Sequence, residues 1–344
     1  MHCSEDKTTG EKVDLSIIIV NYNTYINLTM CLRTLFTHPP SCSFEILVVD
    51  NASGDGSAEL VRVKYPDVRL IVNRYNYGFS VANNQAYRES RGRYVMTLNP
   101  DTEIPPGTID RLVQFLDTRP DVGLVSPAIL SEDGSVQAPD HSFPRFCRPV
   151  LLAMLCASVE PSGPQATIET PWIFGTGYIC RKEAIPSERF FDEDTFLFGE
   201  EYGLCRNMKK NGFKLYILPD ARIRHHVSVS FKRDAGALAM ARKLVTAVLW
   251  RMRKQQYGWG IAMASQLLCC ADALLMWLAL KLKQAVSAHD PGRGLMLADY
   301  RARLVASLAL MIRGDRYFSV INAAARRYFN DGVTPPRLPA PTDG

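Results

Sequence analysis

Residues 15–51 read LSIIIVNYNTYINLTMCLRTLFTHPPSCSFEILVVDN. Two mainly apolar runs, LSIIIV (15–20) and FEILVVD (44–50), flank a helical stretch at 27–37. Short apolar runs without polar alternation are the mark of strands buried on both faces. The pattern continues outward. VRLIV (68–72), YVMTLN (94–99) and VGLV (122–125) predict further strands, and 57–64, 79–91 and 108–118 predict helices between them. The last of these carries Ile109, Leu112, Val113 and Leu116 on one face, and Gly92 is placed to stop the helix before it. Such alternation predicts an α/β fold, a mostly parallel sheet with helices on both faces, whose ligands bind beyond the carboxyl ends of the strands.

Past Val125 the character changes twice. Residues 131–171 are proline-rich with little period and read as a long loop with one short helix near 149–158. Strands are expected at 172–182 and 213–218, around a helix that starts near Glu200 and stops at Gly212. From Ser230 onward long helices follow, at about 236–256, 259–284 and 293–313, and 333–344 reads as a loose tail.

Composition narrows the class. The chain has 344 residues, 40 Lys and Arg against 35 Asp and Glu, and 47% apolar residues, which excludes collagen-like, disordered and small disulfide-stapled proteins. Met1–Asp14 lacks the basic start, apolar stretch and small-residue cleavage site of a secretory signal, so an intracellular protein is expected. The nine cysteines form no C-x-x-C pair and read as small buried hydrophobes. Charge is uneven: residues 231–330 hold 16 Lys and Arg against five Asp and no Glu, a net +11, which leaves −6 for the remainder. Such a basic segment attracts phosphates, on nucleic acid or on a membrane surface.

Polar residues gather where the sheet places strand ends: Asn21, Tyr22 and Asn23 after the first strand, Asp50 and Asn51 after the second, Asn99 and Asp101 after the fourth. An aromatic ring for stacking, a carboxylate for a base N–H and an acid for a phosphate-bound metal suit a nucleotide. Each residue taken singly is also an ordinary turn former. The chain has neither G-x-x-x-x-G-K-[ST] nor a G-x-G-x-x-G after the first strand, so a P-loop and a dinucleotide cofactor are disfavoured. A divalent ion on Asp101 is then the economical way to neutralise a pyrophosphate.

SIIIVNYNT (16–24), ILVVDNASGDGS (46–57), NYGFSVANNQA (76–86), YVMTLNPDTEI (94–104), FDEDTFLFGEEYGLCRNMKKNG (191–212) and ARIRHH (221–226) together resemble the family 2 inverting glycosyltransferases, in particular the rhamnosyltransferase-like branch. They occur in family order over about 15–230. The resemblance implies the GT-A fold and transfer of a sugar from a nucleotide diphosphate sugar donor with Mg²⁺ or Mn²⁺. It implies a nucleotide site at Asn21, Tyr22, Asn23, Asp50, Asn51, Asn76 and Asn99, with Asp50 on the base and Tyr22 beside it. It implies metal ligation by Asp101 and His225, with His226 a rival, and it implies catalytic carboxylates at Glu200 and Glu201, the latter being the general base. At a helix start the macrodipole favours the ionised carboxylate that a base needs. WIFGTGYICRKEAI (172–185) resembles the strand behind the acceptor site, implying that Trp172, Gly175 and Gly177 line it with Arg181 nearby; the loop with Asp140, His141 and Arg145 is a candidate cover. The branch pattern G-E-D-V-D-L-C is here GEEYGLC, so the base is a longer Glu201 and the next acid is replaced by Gly203.

IAMASQLLCCADALLMWLAL (261–280) has one charge, Asp272, and is as long as a bilayer core is thick. Arg242, Lys243, Arg251, Arg253 and Lys254 precede it and Lys281 and Lys283 follow. The basic residues are interleaved with apolar ones at helical spacing and no nucleic-acid motif is present, which favours an anionic membrane surface over nucleic acid. Three readings stand for the run: an interfacial helix, an ordinary buried helix and a transmembrane span, with Asp272 weighing against the last.

The expectation is therefore a catalytic GT-A domain at 12–230, a basic helical membrane-associating module at 231–330 and a tail at 331–344. The function expected is metal-dependent inverting transfer, with dTDP-rhamnose as first donor, onto a saccharide or lipid-diphosphate-linked saccharide for cell-envelope polysaccharide, at the cytoplasmic face of the plasma membrane. A homo-oligomer is left open. The rivals are a nucleotidyltransferase and a catalytically silent nucleotide-sugar-binding scaffold.

Overall fold

The structure is a computed structural model, and it describes residues 13–137, 167–173, 175–185, 189–226, 235–286 and 291–335. The expected helix at 149–158 and the loop with Asp140, His141 and Arg145 lie outside the described residues.

Nine strands form one sheet: β1 (Leu15–Asn21), β2 (Phe44–Asp50), β3 (Arg69–Val72), β4 (Tyr94–Leu98), β5 (Thr102–Glu103), β6 (Val122–Leu130), β7 (Ile168–Glu169), β8 (Gly177–Arg181) and β9 (Lys214–His225). The order is β3-β2-β1-β4-β8-β6-β9-β5, with β7 also on β9. β1, β2, β3, β4, β6 and β9 share one direction, while β8 runs antiparallel between β4 and β6. The helices of this part are α1 (Tyr25–Thr37), α2 (Ser57–Lys64), α3 (Phe79–Glu89), α4 (Thr108–Thr118) and α5 (Glu200–Lys210).

The period of two along β1 explains why it is apolar throughout. Ile17 and Ile19 pack on one side with Leu28, Leu32 and Leu35 of α1 and Leu112 and Leu116 of α4. Ile18 and Val20 pack on the other with Ala82 and Ala86 of α3 and Leu204 and Met208 of α5. All seven residues of β1 are buried. A strand covered on both sides has no polar face to offer. The α/β expectation therefore holds, with β8 and the two-residue strands β5 and β7, both on β9, running antiparallel.

Two boundaries differ from expectation. The strand expected over 172–182 is confined to Gly177–Arg181, and that expected at 213–218 runs on to His225. Its extension pairs Thr102 with His225, which closes the sheet beside the end of β4.

Four helices follow: α6 (Ala235–Tyr257), α7 (Trp259–Val286), α8 (Pro291–Arg313) and α9 (Asp315–Tyr328). The first three match expectation and α9 was missed. Its signal was present. Gly314 precedes it, Asp315 opens it, Tyr317, Phe318, Ile321 and Ala325 share a buried face, and Arg326 and Arg327 close it. Phe196, Tyr202, Leu244, Val248, Trp250, Leu310, Phe318 and Ile321 form a third apolar cluster, joining the start of α5 to these helices. Gly199, at φ +74°, sits at that junction. A Cβ there would fall 2.2 Å from Val248 Cγ1, so glycine is required by both backbone and contact.

Within α7, Trp259–Leu282 is long and apolar enough to cross a membrane by length and composition, and 22% of its apolar window is buried. Leu267, Leu268, Leu274, Leu275, Leu278 and Leu282 are exposed. Cys31, Cys42, Cys180, Cys205 and Cys270 are free, as expected, whereas Cys269 is disulfide-bonded.

Candidate active site

The register of β1 on β2 pairs Asn21 with Asp50 at the carboxyl ends of both strands. Asn21 Nδ2 donates to Asp50 Oδ1 at 2.9 Å and to Ser53 Oγ at 3.0 Å, and the Ser53 N–H donates to Asp50 Oδ2 at 2.9 Å. Asp50 is 1% exposed, so its carboxylate is held in one orientation. A carboxylate oxygen has two acceptor directions, which leaves capacity on each for a further N–H. Asn23 (φ 53°) turns the chain out of β1, and its Oδ1 accepts the Gly54 N–H at 2.8 Å, locking the two strand-end turns together.

Asn51 is committed to the protein. Its Nδ2 donates to Asn76 Oδ1 at 2.9 Å and to the Gly78 carbonyl at 3.2 Å, and its Oδ1 accepts from Asn73 Nδ2 at 3.0 Å and the Tyr77 N–H at 3.2 Å. All four positions of that amide are used. Asn76 Oδ1 also accepts the Gly78 N–H at 3.0 Å. Asn51 and Asn76 therefore shape the 73–78 turn. Tyr22 lies over it half-buried, its phenol pKa raised by burial, with the Asn76 side chain hydrogen-bonded to it.

On the neighbouring strand, β4 ends at Leu98 beside β1's Ile19, and the Asn99 N–H donates to the Thr176 carbonyl at 2.9 Å. Asp101 follows, 7% exposed, with its Oδ1 at 3.2 Å from His225 Nε2. Gln137 fixes the imidazole from the far side. Its Nε2 donates to the His225 carbonyl at 3.2 Å, so its Oε1, at 2.9 Å, takes a proton from Nδ1. The Nε2 lone pair of a neutral ring then faces the Asp101 oxygen. Two acceptors this close call for a proton or a cation between them. His226 turns aside to Glu103, 3.0 Å away. Among the described residues no three or more His, Cys, Asp or Glu side chains cluster as a metal site. Mg²⁺ and Mn²⁺ in phosphate sites take one or two carboxylates and complete their shell with phosphate oxygens and water, so Asp101 supplies the donor type such an ion takes, with the His225 ring beside it.

The acidic pair opens α5 behind Gly199. A Cβ on Gly175 would sit 3.5 Å from Glu201 Oε2, so that glycine is the immediate neighbour of the Glu201 carboxylate. Gly175, Thr176 and Asn99 thus connect Glu201 to the end of β4. The Asp50 side is joined to it as well: the Phe79 N–H donates to the Phe196 carbonyl at 2.7 Å, and Gly78 (φ +91°) passes so close to Phe196 that no Cβ would fit. Asp50, Asp101 and Glu201 accordingly belong to one rim.

Burial opposes the ionised state expected of the acids. Glu200 and Glu201 are 6% and 7% exposed. Burial pushes the Glu201 carboxyl up to about 7 and holds Glu200 well above the usual carboxylate range, with the charge of Glu201 adding to the latter. Desolvation outweighs the helix N-terminus. Glu200 Oε2 has no hydrogen-bond partner among the described residues.

The four residues expected around the acceptor separate. Gly175 is at the rim. Gly177 pairs with Leu98 inside the sheet, where a Cβ would meet Ile223 Cδ1 at 3.1 Å. Trp172 is 9% exposed and belongs to the apolar cluster with Leu204, Cys205 and Met208. Arg181 pairs with Tyr94 at the opposite end of β8, and its guanidinium donates to the carbonyls of Leu116, Arg119 and Val122. It caps the end of α4 and is nowhere near the acidic pair, so the expectation for Arg181 is corrected. A strand that crosses the whole sheet carries its first and last residues to different rims, and the motif does not say which end counts. Gln137 is the converse, a residue missed because no spacing links it to His225.

Comparisons with known proteins bear on the family and the fold. The chain matches the family Glycosyl transferase family 2 over residues 16–163 and Glycosyl transferase family group 2 over residues 94–318. It is 27% identical over 269 residues to the N-acetylglucosaminyl-diphospho-decaprenol L-rhamnosyltransferase of Mycobacterium tuberculosis, covering 71% of this chain and 86% of that protein. An O-antigen biosynthesis protein of Myxococcus xanthus is 28% identical over 208 residues, 56% of this chain and 16% of that much longer one. Among solved structures, a mannosyltransferase from Pyrobaculum calidifontis in complex with GDP-Man and Mn²⁺ superposes with a TM-score of 0.54 at 19% identity, covering 88% of each chain, which establishes the GT-A fold. The chain belongs to the family 2 glycosyltransferases, and a rhamnosyltransferase is among its relatives.

Proposed function

We propose that this transferase moves rhamnose from dTDP-rhamnose, with inversion at the anomeric carbon, to a saccharide carried on a lipid diphosphate. The observation that carries the reading is the single rim that holds Asp50, the Asp101–His225 pair and Glu201. The likeness to an enzyme named for rhamnose and for a diphospho-decaprenol acceptor supports the choice of donor and acceptor.

In this reading Asp50 accepts from the base N–H and Tyr22 lies along the ring. Asp101 and His225 would hold Mg²⁺ or Mn²⁺ with the diphosphate oxygens, and the ion when bound offsets negative charge on the departing diphosphate. Glu201 takes the proton from the acceptor hydroxyl; its oxygen forms the bond to the anomeric carbon as the bond to the diphosphate oxygen breaks on the opposite face. A carboxyl titrating near 7 is matched to that work, since the base must be free at working pH and still accept the proton. Gly175 leaves the approach to Glu201 open.

The exposed leucine face of α7 supports residues 231–330 as a module lying against lipid at the cytoplasmic face, where a lipid-linked acceptor resides; of the flanking basic residues, Arg253 is buried, and Arg242, Arg251 and Lys254 pair with Asp299, Asp192 and Asp315. Release of nucleoside diphosphate across a panel of dTDP-, UDP- and GDP-sugars, with and without Mn²⁺, tests the function. Metal-dependent release from dTDP-rhamnose in the presence of a polyprenyl-diphosphate saccharide is expected. Tight nucleotide binding without turnover of any donor would favour the scaffold reading and overturn this one.

A further inference from the structure

The turn that ends α9 reaches across the molecule to the nucleotide rim. Asn330 Oδ1 accepts the Asn76 N–H at 2.8 Å, and Asn330 Nδ2 donates to the Asn76 carbonyl at 2.9 Å and to the Arg326 carbonyl at 2.7 Å. One amide side chain thus satisfies both backbone groups of a residue 254 positions away. Beside it, the Tyr22 hydroxyl donates to the Phe329 carbonyl at 3.3 Å, and the two rings meet edge to face with centroids 6.2 Å apart. The other side of Phe329 stacks on Phe196 at 5.5 Å and 11°. Asn76 in turn holds Asn51, Gly78 and Tyr22.

We propose that Phe329 and Asn330 complete the donor site, Asn330 as a positioning residue that fixes the 73–78 turn and Phe329 as the backing of the Tyr22 ring. The proposal rests on the reading of the Asp50–Tyr22 rim as the nucleotide site. It gives the last helix a part in donor binding that is separate from any membrane role. The physical basis is preorganisation. A turn and a tyrosine already held in place lose less freedom when the nucleotide arrives, so affinity rises without a new contact to ligand. Asp315 provides a contrast on the same helix. Its carboxylate accepts from Trp250 Nε1 at 3.3 Å and from Lys254 Nζ, so it ties the start of α9 to α6, away from the turn that carries Asn330.

The test uses the full chain, titrated by calorimetry with dTDP, UDP and GDP in Mn²⁺, together with donor KM and kcat. Asn330→Ala is expected to raise the Kd for the preferred diphosphate and the donor KM about tenfold each, with kcat changed much less. Asn330→Asp retains the acceptor for the Asn76 N–H but sets a carboxylate oxygen against the Asn76 and Arg326 carbonyls, so a rise at least as large is expected. Asp315→Ala is expected to lower the melting temperature with the diphosphate Kd within about twofold of the wild type. Wild-type affinity in Asn330→Ala would overturn the proposal. Tighter binding would overturn it as well, since the turn would then cover the slot and not build it. An equal loss of affinity in Asp315→Ala would reduce the effect to general loosening and overturn it too. Failure of the wild-type chain to bind any of the three diphosphates would instead remove the donor-site reading, a distinguishable outcome.

Discussion

At the carboxyl ends of β1 and β2 the Asn51 amide spends all four of its hydrogen-bonding positions on the protein, and Asp50 is gripped by Asn21 and Ser53. At the start of α5 the opposite holds: two carboxyls are buried side by side, and Glu200 Oε2 has no partner among the described residues. Satisfied polar networks rigidify a shape, whereas unpartnered buried acids store free energy that chemistry can use. In the proposed reading, the first arrangement suits recognition of a nucleotide and the second suits proton transfer at a cost in stability.

The largest test of that contrast is Glu201→Gln. Loss of a positioned base is expected to lower kcat by about 10²–10⁴ with donor Kd unchanged. The same variant is expected to be more stable than the wild type at pH 8. The folded carboxyl titrates near 7, above its ordinary 4.5, so the neutral form's contribution is present below 4.5 and lost as pH rises through 7. Thermal melts at pH 5 and pH 8 check this: a gain of about 1–3 kcal/mol at pH 8, fading toward pH 5, is expected. By the same titration, kcat of the wild type should fall as pH drops below 7.

Next in size is Asn51→Ala. It strands the Tyr77 N–H and takes one hydrogen bond each from Asn73 Nδ2, which keeps Gln85 Oε1, and from the Gly78 carbonyl, which keeps the Ala82 N–H, so a loss of about 1–3 kcal/mol in urea unfolding is expected together with a raised donor KM. Retained stability would show the network to be replaceable by water.

Arg181→Ala separates the two ends of β8. The carbonyls of Leu116 in α4, Arg119 just after it and Val122 at the start of β6 lose the guanidinium, for an expected cost of about 1–3 kcal/mol, while kcat and both KM values stay unchanged. A fall in kcat at unchanged stability would return Arg181 to the acceptor side.

The smallest effect is expected at Gly203. A Cβ there meets nothing within 4 Å, so Gly203→Ala should stabilise α5 by up to about 1 kcal/mol, read as a small rise in melting temperature.

Much of this was legible in the chain because local chemistry and global position coincide. The two-sided apolar runs of β1 and β2 demanded a covered sheet, and parallel register then set Asn21 against Asp50 without further information. Asp101 and His225 meet because β5 and β9 pair at Thr102 and His225. No spacing in the sequence states that pairing, and the family motifs supplied it. What failed had no local signal or an ambiguous one. Arg181 sits in the motif that also holds Gly175, but a five-residue strand separates their surroundings. The upward push on the Glu200 and Glu201 carboxyls went unseen because a helix start is visible in sequence and the depth of burial is not. Helix α9 had its amphipathic pattern, yet its contact with Asn76, 254 residues away, is a product of tertiary packing alone.

The central claim is spatial, that one bound donor spans Asp50, Asp101 and Glu201. A crystal structure of the chain with dTDP-rhamnose and Mn²⁺, prepared as Glu201→Gln to prevent turnover, tests it most directly. The account predicts the base against Asp50 and Tyr22, the diphosphate and ion at Asp101 and His225, and the anomeric carbon facing the side chain at position 201 across space for an acceptor hydroxyl. A donor bound with its sugar turned away from position 201, or its diphosphate remote from Asp101, would contradict it.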